Sequence, residues 1–237
     1  MAEEPKPTFH HLSNSQSQRI LWLLSELGID YNLVLHQRQP SGPERGRAPP
    51  ELKDVHPLGK SPVLVTSQGR VITESSAIAS YLIDTYDTSK RFRGDDNGGK
   101  NDWIQDEILT SFAGSSLGPM TTIQIFCDII VQHTLFFLRP VMRLMVSGLW
   151  RAFVGPEMKK MLTFLNDELE GQEYFMGKQP GRADFMLSWP LDMIAQRKWL
   201  GDLQDWPRVK EWRERCLARE GWKEGMRRGN SYDLTKL

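Results

Sequence analysis

The pattern of the chain changes near residue 88, and this change limits the possible folds more than any other feature. Before it, short strand patterns alternate with helical ones; after it, every periodic segment is helical. Residues 88–100 between the two patterns are polar and rich in glycine, which is typical of a boundary between domains. The sequence therefore predicts two domains, residues 1–88 and 101–237, joined by a linker over residues 89–100.

The first domain follows the order βαβ, loop, ββα, which predicts a mixed sheet with helices packed on it. Its strands are predicted over residues 8–12, 31–35, 62–66 and 71–73. The first helix carries an apolar stripe with the spacing i, i+3, i+4 and i+7, formed by Ile20, Leu23, Leu24 and Leu27. Serines precede this helix as candidate N-caps, and Gly28 is expected to end it.

A second long helix is predicted from Ser75, and residues 36–56 before it are expected to form a proline-rich and glycine-rich loop. The inner face of that helix is predicted to contain Ala77, Ile78, Tyr81 and Leu82. In the second domain, prolines stand near the predicted helix starts, where a missing backbone N–H costs nothing. These prolines are Pro119, Pro140, Pro156 and Pro207.

Composition argues against several classes of function. Thirty basic residues balance thirty acidic ones, so no net charge favours nucleic acid or an anionic membrane. Cys127 and Cys216 belong to no metal-spaced cluster, which favours a reducing compartment and a protein without a metal site. Residues 120–138 predict a buried or interface helix, because polar residues interrupt them and a membrane span needs about 20 mostly apolar residues. We therefore expect a cytoplasmic protein with no signal peptide and no transmembrane segment.

Three segments of the first domain carry groups suited to a charged, peptide-like ligand. Ser15 lies at the start of the first helix, where a hydroxyl can stabilise a thiolate or simply cap the helix. A cis bond before Pro62 would leave the backbone of Ser61 free to pair with an extended peptide. Glu74 and Ser75 precede the second long helix, whose N-terminus attracts a carboxylate, and Glu74 suits an ammonium group. Each segment alone also fits a structural role.

In this order and spacing, the three segments resemble the glutathione S-transferase family, and the resemblance covers roughly residues 8–228. It is greatest to a fungal and bacterial branch with Leu-x-x-Ser-Arg-Ser-x-Arg followed by Leu-Leu-x-Glu-Leu; this chain has Leu12-Ser-Asn-Ser-Gln-Ser-Gln-Arg19. Gly181-Arg-Ala-Asp184 is similar to the family's Ser/Thr-x-x-Asp helix start. The resemblance implies a thioredoxin-like N-terminal domain, an all-helical C-terminal domain and a homodimer.

The resemblance also implies a role for each residue of the site. Ser15, four residues before Arg19, would activate the thiol of glutathione, the co-substrate, with Ser13, Asn14 and Ser17 as alternatives on the same turn. The rest of the tripeptide would be held by Lys60, Ser61, cis-Pro62, Glu74 and Ser75. Asp184 would organise the start of a core helix and take no part in the chemistry.

Two departures from the family pattern concern Gln16 and Gly181. Gln16 replaces the branch's arginine, so one positive charge near the thiol is missing. Gly181 replaces a capping Ser or Thr, which lowers helix stability by only a few tenths of a kcal/mol. Lowering a thiol pKa of about 8.5 by ~2 units requires ~2.7 kcal/mol. A helix N-terminus supplies ~0.3–1 kcal/mol, or up to ~2 kcal/mol when partly buried, and a hydrogen bond to a charged group supplies ~1.5–3 kcal/mol, so we expect Ser15 to be needed beside the helix.

The expected reaction is attack of the glutathione thiolate on a small apolar electrophile, as in detoxification. The electrophile is expected between the domains, near Met120, Ile123, Phe126, Phe136 and Phe137, although apolar residues at helical spacing are more often core. Two alternatives keep the same fold. One is a glutathione-dependent isomerase, peroxidase or C–S bond-forming biosynthetic enzyme, and the other is a binding module without catalysis.

Overall fold

The computed structural model describes residues 5–42, 44–94 and 100–236, which form two successive parts. Residues 8–86 contain a four-stranded sheet with helices, and residues 103–236 are helical. This is a thioredoxin-like N-terminal domain followed by an all-helical C-terminal domain, which confirms the predicted fold class. Residues 95–99 of the predicted linker lie outside the described residues, and the exact domain limits stay a prediction.

The sheet has the strand order β2-β1-β3-β4. The strands are β1 (Thr8–Leu12), β2 (Asn32–His36), β3 (Val63–Val65) and β4 (Val71–Thr73). β1 and β2 pair in parallel, whereas β3 is antiparallel to both β1 and β4. The parallel pair needs a crossover and the antiparallel β3–β4 pair only a hairpin, so the predicted order of elements is confirmed with shifts of one residue at some ends.

The described residues of this part form three helices: α1 (Gln18–Leu27), α2 (Leu52–Val55) and α3 (Ser75–Tyr86). α1 ends at Gly28, whose positive φ of 67° suits a residue without a Cβ. The prediction that residues 36–56 form only loop is wrong at α2, a single turn too short to show a helical period. No serine side chain caps α1, because the Ser17 hydroxyl contacts Leu12 and His11 instead.

The inner face of α3 differs from the predicted one. The buried apolar residues are Ile78, Ala79, Leu82 and Ile83, whereas Ala77 is exposed and Tyr81 is only partly buried. These residues have the spacing i, i+1, i+4, i+5, one position later than expected, and α3 packs against α1, α8 and β4. Alanine is small and occurs on both buried and exposed helix faces, so the sequence pattern does not show which of Ala77 and Ala79 is buried. The elements that pack on α3 decide this.

The second part contains seven helices within the described residues. They are α4 (Trp103–Phe112), α5 (Gly118–His133), α6 (Arg139–Leu149), α7 (Gly155–Glu168), α8 (Arg182–Gln196), α9 (Pro207–Ala218) and α10 (Glu220–Arg228). π-helical turns at Ala113–Leu117 and Trp150–Val154 join α4 to α5 and α6 to α7. The four prolines expected near helix starts all lie in first turns, which confirms that prediction.

The two parts share one apolar core, in which α1 is the central element. The Trp22 ring packs edge-on against Phe185 of α8 and Trp222 of α10, with centroid distances of 4.5 and 5.4 Å. Glu26 at the end of α1 forms a two-pronged ion pair with Arg219. α10 also approaches α1 closely, since a Cβ on Gly225 would lie 3.2 Å from the backbone of Leu21. The middle and the C-terminal end of α1 therefore pack against helices of the second part.

α5 and α6 expose much of their apolar surface. Only Thr121, Gln124 and Cys127 are buried on α5, and no residue is buried on α6. Residues 120–138 are therefore not a buried helix, and an interface remains as the predicted alternative. Within the described residues, no helix combines the length and the apolar character needed to cross a membrane.

Candidate functional site

Five residues predicted to hold the tripeptide line one small cavity at the edge of the sheet. Lys60, Ser61, Pro62, Glu74 and Ser75 come from the two segments that flank the β3–β4 hairpin. The other lining residues are Gln16, His56, Leu58 and Thr73. The cavity volume is about 50 Å³, enough to enclose one end of a tripeptide, so the remainder of such a ligand would lie along the open surface.

The β3 side of the cavity is fixed by the Ser61–Pro62 peptide, which is cis. The Ser61 hydroxyl donates a hydrogen bond to the His10 carbonyl of β1, with an O–O distance of 3.0 Å. This contact holds Ser61 before the first paired residue of β3, Val63. The Ser61 backbone thus borders the cavity just before the residues of β3 that pair with β1.

The α3 side of the cavity presents a carboxylate and a hydroxyl. Glu74 joins β4 to α3 with φ 66° and ψ 123°, a conformation that L-residues rarely adopt. Ser75 follows as the first residue of α3, and its buried hydroxyl has no hydrogen-bond partner among the described residues. The first N–H groups of a helix have no carbonyl within the helix to bond, so this end of α3 offers unused donors and a partial positive charge.

Ser15 lies beside the cavity but does not line it. Its hydroxyl is buried and donates to the Leu12 carbonyl at 2.8 Å, with the Ser17 hydroxyl 2.7 Å away. A serine hydroxyl has one proton. To donate to a thiol, Ser15 would therefore have to give up its contact with Leu12 or Ser17, and its role stays a prediction.

The alternatives to Ser15 on the same turn are also occupied by structural contacts. The hydroxyl of Ser13 accepts the N–H of Arg38, and the amide oxygen of Asn14 accepts from Ser231 and Asp233. Ser17 lies fully buried with its hydroxyl 2.8 Å from His11 Nδ1. None of the three lines the cavity within the described residues.

Residues that the sequence did not single out hold this turn in place. The guanidinium of Arg38 donates to the carbonyls of Ser13 and Asn14, and the C-terminal residues Ser231 and Asp233 clamp Asn14 at φ 51°. Burial lowers the pKa of His11 to about 4, so its ring is neutral at pH 7 beside the Ser17 hydroxyl. No local signal marks these residues, because their contacts join distant parts of the chain.

Gln16 faces the cavity, and Arg19 lies behind it. The guanidinium of Arg19 donates through Nε to the Gln16 carbonyl at 3.1 Å and through Nη2 to Gln16 Oε1. Burial lowers the pKa of Arg19 to about 10, which leaves it charged at neutral pH, and the nearby Glu74 favours that charge. Where the related branch has an arginine, position 16 therefore carries an amide that accepts a hydrogen bond from the buried Arg19 guanidinium.

The residues expected to contact an apolar electrophile divide into two groups. Met120 and Ile123 pack against the core, whereas Phe126, Phe136 and Phe137 are exposed. Among the described residues that line the cavity, none of these five occurs. The position of the electrophile stays a prediction.

A larger cavity of about 560 Å³ lies between α3, α4 and α8, away from all the predicted site residues. Apart from Lys90, its charged groups pair with one another: Arg182 with Asp106 and Glu107, and Arg93 with Asp84. The smaller cavity instead combines the residues predicted to hold the tripeptide with a buried Ser75 hydroxyl that has no hydrogen-bond partner among the described residues.

Family models match both parts of the chain. The model described as "Glutathione S-transferase, N-terminal domain" matches residues 15–85, and "Glutathione S-transferase, C-terminal domain" matches residues 154–220. Glutathione S-transferase 3 of Schizosaccharomyces pombe is 32% identical over 87% of this chain and 84% of its own length. Glutathione S-transferase 1 of Saccharomyces cerevisiae is 28% identical over 90% of this chain and 91% of its own length.

Solved structures agree with these relatives. A glutathione S-transferase from Actinobacillus pleuropneumoniae has 28% identity and a TM-score of 0.69 over 98% of this chain and 96% of its own. A glutathione transferase from Phanerochaete chrysosporium, solved with oxidized glutathione, has 19% identity and a TM-score of 0.70 over 96% of both chains; this likeness concerns the fold. Fold, domain matches and sequence identity over most of the chain together show that this protein belongs to the glutathione S-transferase family.

Proposed function

We propose that this glutathione transferase binds glutathione in the cavity between Gln16, the Lys60–Pro62 segment and the start of α3, and adds its thiolate to a small apolar electrophile. The observation that carries the site assignment is the buried, unpartnered Ser75 hydroxyl at the N-terminus of α3, next to Glu74. An unpaired buried hydroxyl costs free energy unless a ligand satisfies it. A ligand with a carboxylate and an ammonium group on one carbon suits both side chains.

The parts of glutathione are assigned to this cavity by their charges. The γ-glutamyl carboxylate would accept hydrogen bonds from Ser75 and the first N–H groups of α3, and its ammonium group would pair with Glu74. The backbone of Ser61, before cis-Pro62, would pair with the cysteinyl unit, and the side chain of Lys60 would contact the tripeptide nearby. In this orientation the cysteinyl sulfur would face Gln16 and the turn before α1.

Ser15 remains the proposed activating hydroxyl, and its replacement by alanine is expected to raise the thiol pKa of bound glutathione by about one unit or more. The physical reason is the loss of a hydrogen bond to a thiolate, worth ~1.5–3 kcal/mol. The measurement is thiolate absorbance in the ultraviolet, titrated against pH, with Ser111→Ala on the surface of α4 as control. An unchanged pKa in Ser15→Ala would move the activating role to another group.

A homodimer across the first domain of one subunit and the second domain of the other is part of the proposal. Apolar side chains are exposed on both domains, at Val71 on β4 and at Ile104 and Ile108 on α4. Sedimentation should therefore give twice the chain mass of 27.3 kDa, and Ile108→Asp should shift the protein toward monomer, whereas Gln179→Asp on an exposed loop should not. A wild-type monomer at micromolar concentration would rule out the dimer.

Three finer features also belong to the proposal. The kinship with the Leu-x-x-Ser-Arg-Ser-x-Arg branch is supported by two fungal relatives. A cytoplasmic location is supported by Cys127 and Cys216, which are both free and buried, as expected in a reducing compartment. A role in detoxification would follow from conjugation of apolar electrophiles.

Retention on glutathione resin, followed by an assay with a generic aromatic electrophile, tests the proposal directly. Binding with conjugation supports a transferase, and binding without it favours an isomerase, a peroxidase or a binding module. No calorimetric binding at millimolar glutathione would overturn the site assignment.

A further inference from the structure

The turn before α1 offers the thiol of bound glutathione fewer free hydrogen-bond donors than the sequence predicted. The Ser15 proton is engaged with Leu12 or Ser17, and Ser17 is buried beneath it against His11. No arginine stands at position 16 to supply a charge. A helix N-terminus alone contributes ~0.3–1 kcal/mol, or up to ~2 kcal/mol when it is partly buried, which is below the ~2.7 kcal/mol that a pKa shift of ~2 units requires.

The side chain of Gln16 supplies a donor at this place. Gln16 lines the cavity together with Lys60, Ser61, Glu74 and Ser75. An arginine can only donate, so the atom of the Gln16 amide that meets Arg19 Nη2 must be the oxygen. The amide NH₂ group therefore points away from Arg19, and within the described residues it has no hydrogen-bond partner.

Arg19 gives this amide a fixed orientation and strengthens it as a donor. Arg19 as a whole is 6% exposed, and its guanidinium is held at four places: by the carbonyl and Oε1 of Gln16, by the Met186 carbonyl at 2.9 Å, and over the Trp189 ring at 5.8 Å. A hydrogen bond from a cation polarises the amide, so its N–H groups become better donors in a low-dielectric surrounding. Rotation of the amide by 180° would place its NH₂ group against Arg19 and is therefore disfavoured.

We propose that Gln16 is a catalytic residue of the glutathione site, whose Nε2 donates a hydrogen bond to the thiolate while Arg19 holds Oε1. This inference rests on the proposed function and identifies a second donor beside Ser15. Arg19 acts through Gln16 and is a positioning residue. The buried positive charge takes the place of the branch's arginine side chain at position 16, one hydrogen bond further from the sulfur.

The test compares two substitutions that remove the donor in different ways. Gln16→Met keeps the length of the side chain and removes both polar ends; Gln16→Glu keeps an oxygen for Arg19 and places an acceptor toward the sulfur. Thiolate absorbance of bound glutathione is titrated against pH in wild type, in both variants and in Gln179→Met, an exposed glutamine in the second domain. Absorbance is followed in place of turnover, because His56, Lys60 and Glu74 also face the cavity.

We expect Gln16→Met to raise the thiol pKa by about one unit, as loss of one hydrogen bond to an anion should, and Gln16→Glu to raise it further. Gln179→Met should match wild type, and glutathione affinity should change less than tenfold in all three. The same rise should appear when Gln16→Met is added to Ser15→Ala.

Two results would separate the possible failures. Wild-type protein that binds glutathione with a lowered thiol pKa, but shows the same pKa in folded Gln16→Met and Gln16→Glu, would overturn the role of Gln16 and leave the proposed function intact. Wild-type protein that does not bind glutathione at all would overturn the proposed function itself. If Gln16→Met does not fold, as circular dichroism would show, Gln16→Glu decides the question, because it retains the contact with Arg19.

Discussion

Replacing Asp184 by alanine should lower the free energy of unfolding by about 3 kcal/mol or more. The carboxylate is fully buried at the start of α8 and accepts hydrogen bonds from the N–H groups of Phe175 and Gly181 and from the Trp212 indole, at 2.7–2.9 Å. Burial raises its pKa to about 6, while these donors oppose that rise. Alanine would leave three buried donors unpaired, and each costs ~1–3 kcal/mol.

Urea unfolding followed by circular dichroism measures this effect. Asp184→Asn should be less damaging than alanine, because its amide oxygen can still accept two of the three bonds. Asp205→Ala is the matched control, since Asp205 is exposed and should change stability by less than about 0.5 kcal/mol. A loss below ~1 kcal/mol in Asp184→Ala would show that the donors find other partners.

Glu74→Ala should weaken glutathione binding at least about tenfold. The carboxylate borders the same cavity as the unpaired Ser75 hydroxyl and would meet the γ-glutamyl ammonium group. A hydrogen bond between charged groups contributes ~1.5–3 kcal/mol, and ~1.4 kcal/mol corresponds to a factor of ten in Kd. Both Glu and Ala must adopt the positive φ of 66° at this position, so the backbone strain is similar and the difference reports the side chain.

Calorimetry at several glutathione concentrations provides the measurement. Glu74→Gln keeps the side-chain volume and removes the charge, so its affinity should lie between wild type and Glu74→Ala. Glu173→Ala, at an exposed position of the second domain, controls for loss of a carboxylate elsewhere. Equal affinity in wild type and Glu74→Ala would remove Glu74 from the site.

The elements of the first domain could be predicted because their signals are local. The α1 stripe formed by Ile20, Leu23, Leu24 and Leu27, ended by Gly28, depends only on helical spacing and on the conformational freedom of glycine. α2 could not be predicted, since one turn has no period, and the choice between Ala77 and Ala79 depended on what covers α3. The five residues expected to hold glutathione line one cavity because Lys60, Ser61 and Pro62 precede β3, whereas Glu74 and Ser75 follow β4. The antiparallel pairing of these strands places the start of β3 beside the end of β4.

By itself, the sequence determined the class of fold, the family resemblance and the segments from which the cavity is built. Only the tertiary structure decided what the turn before α1 presents to that cavity. The Ser15 hydroxyl donates its proton to the Leu12 carbonyl. The side chain of Asn14 accepts a hydrogen bond from the N–H of Asp233, 219 residues further along the chain. Gln16, which the sequence marked only as a missing charge, lines the cavity with Arg19 behind it. Local propensity cannot specify such contacts, because packing between distant segments places the groups that make them.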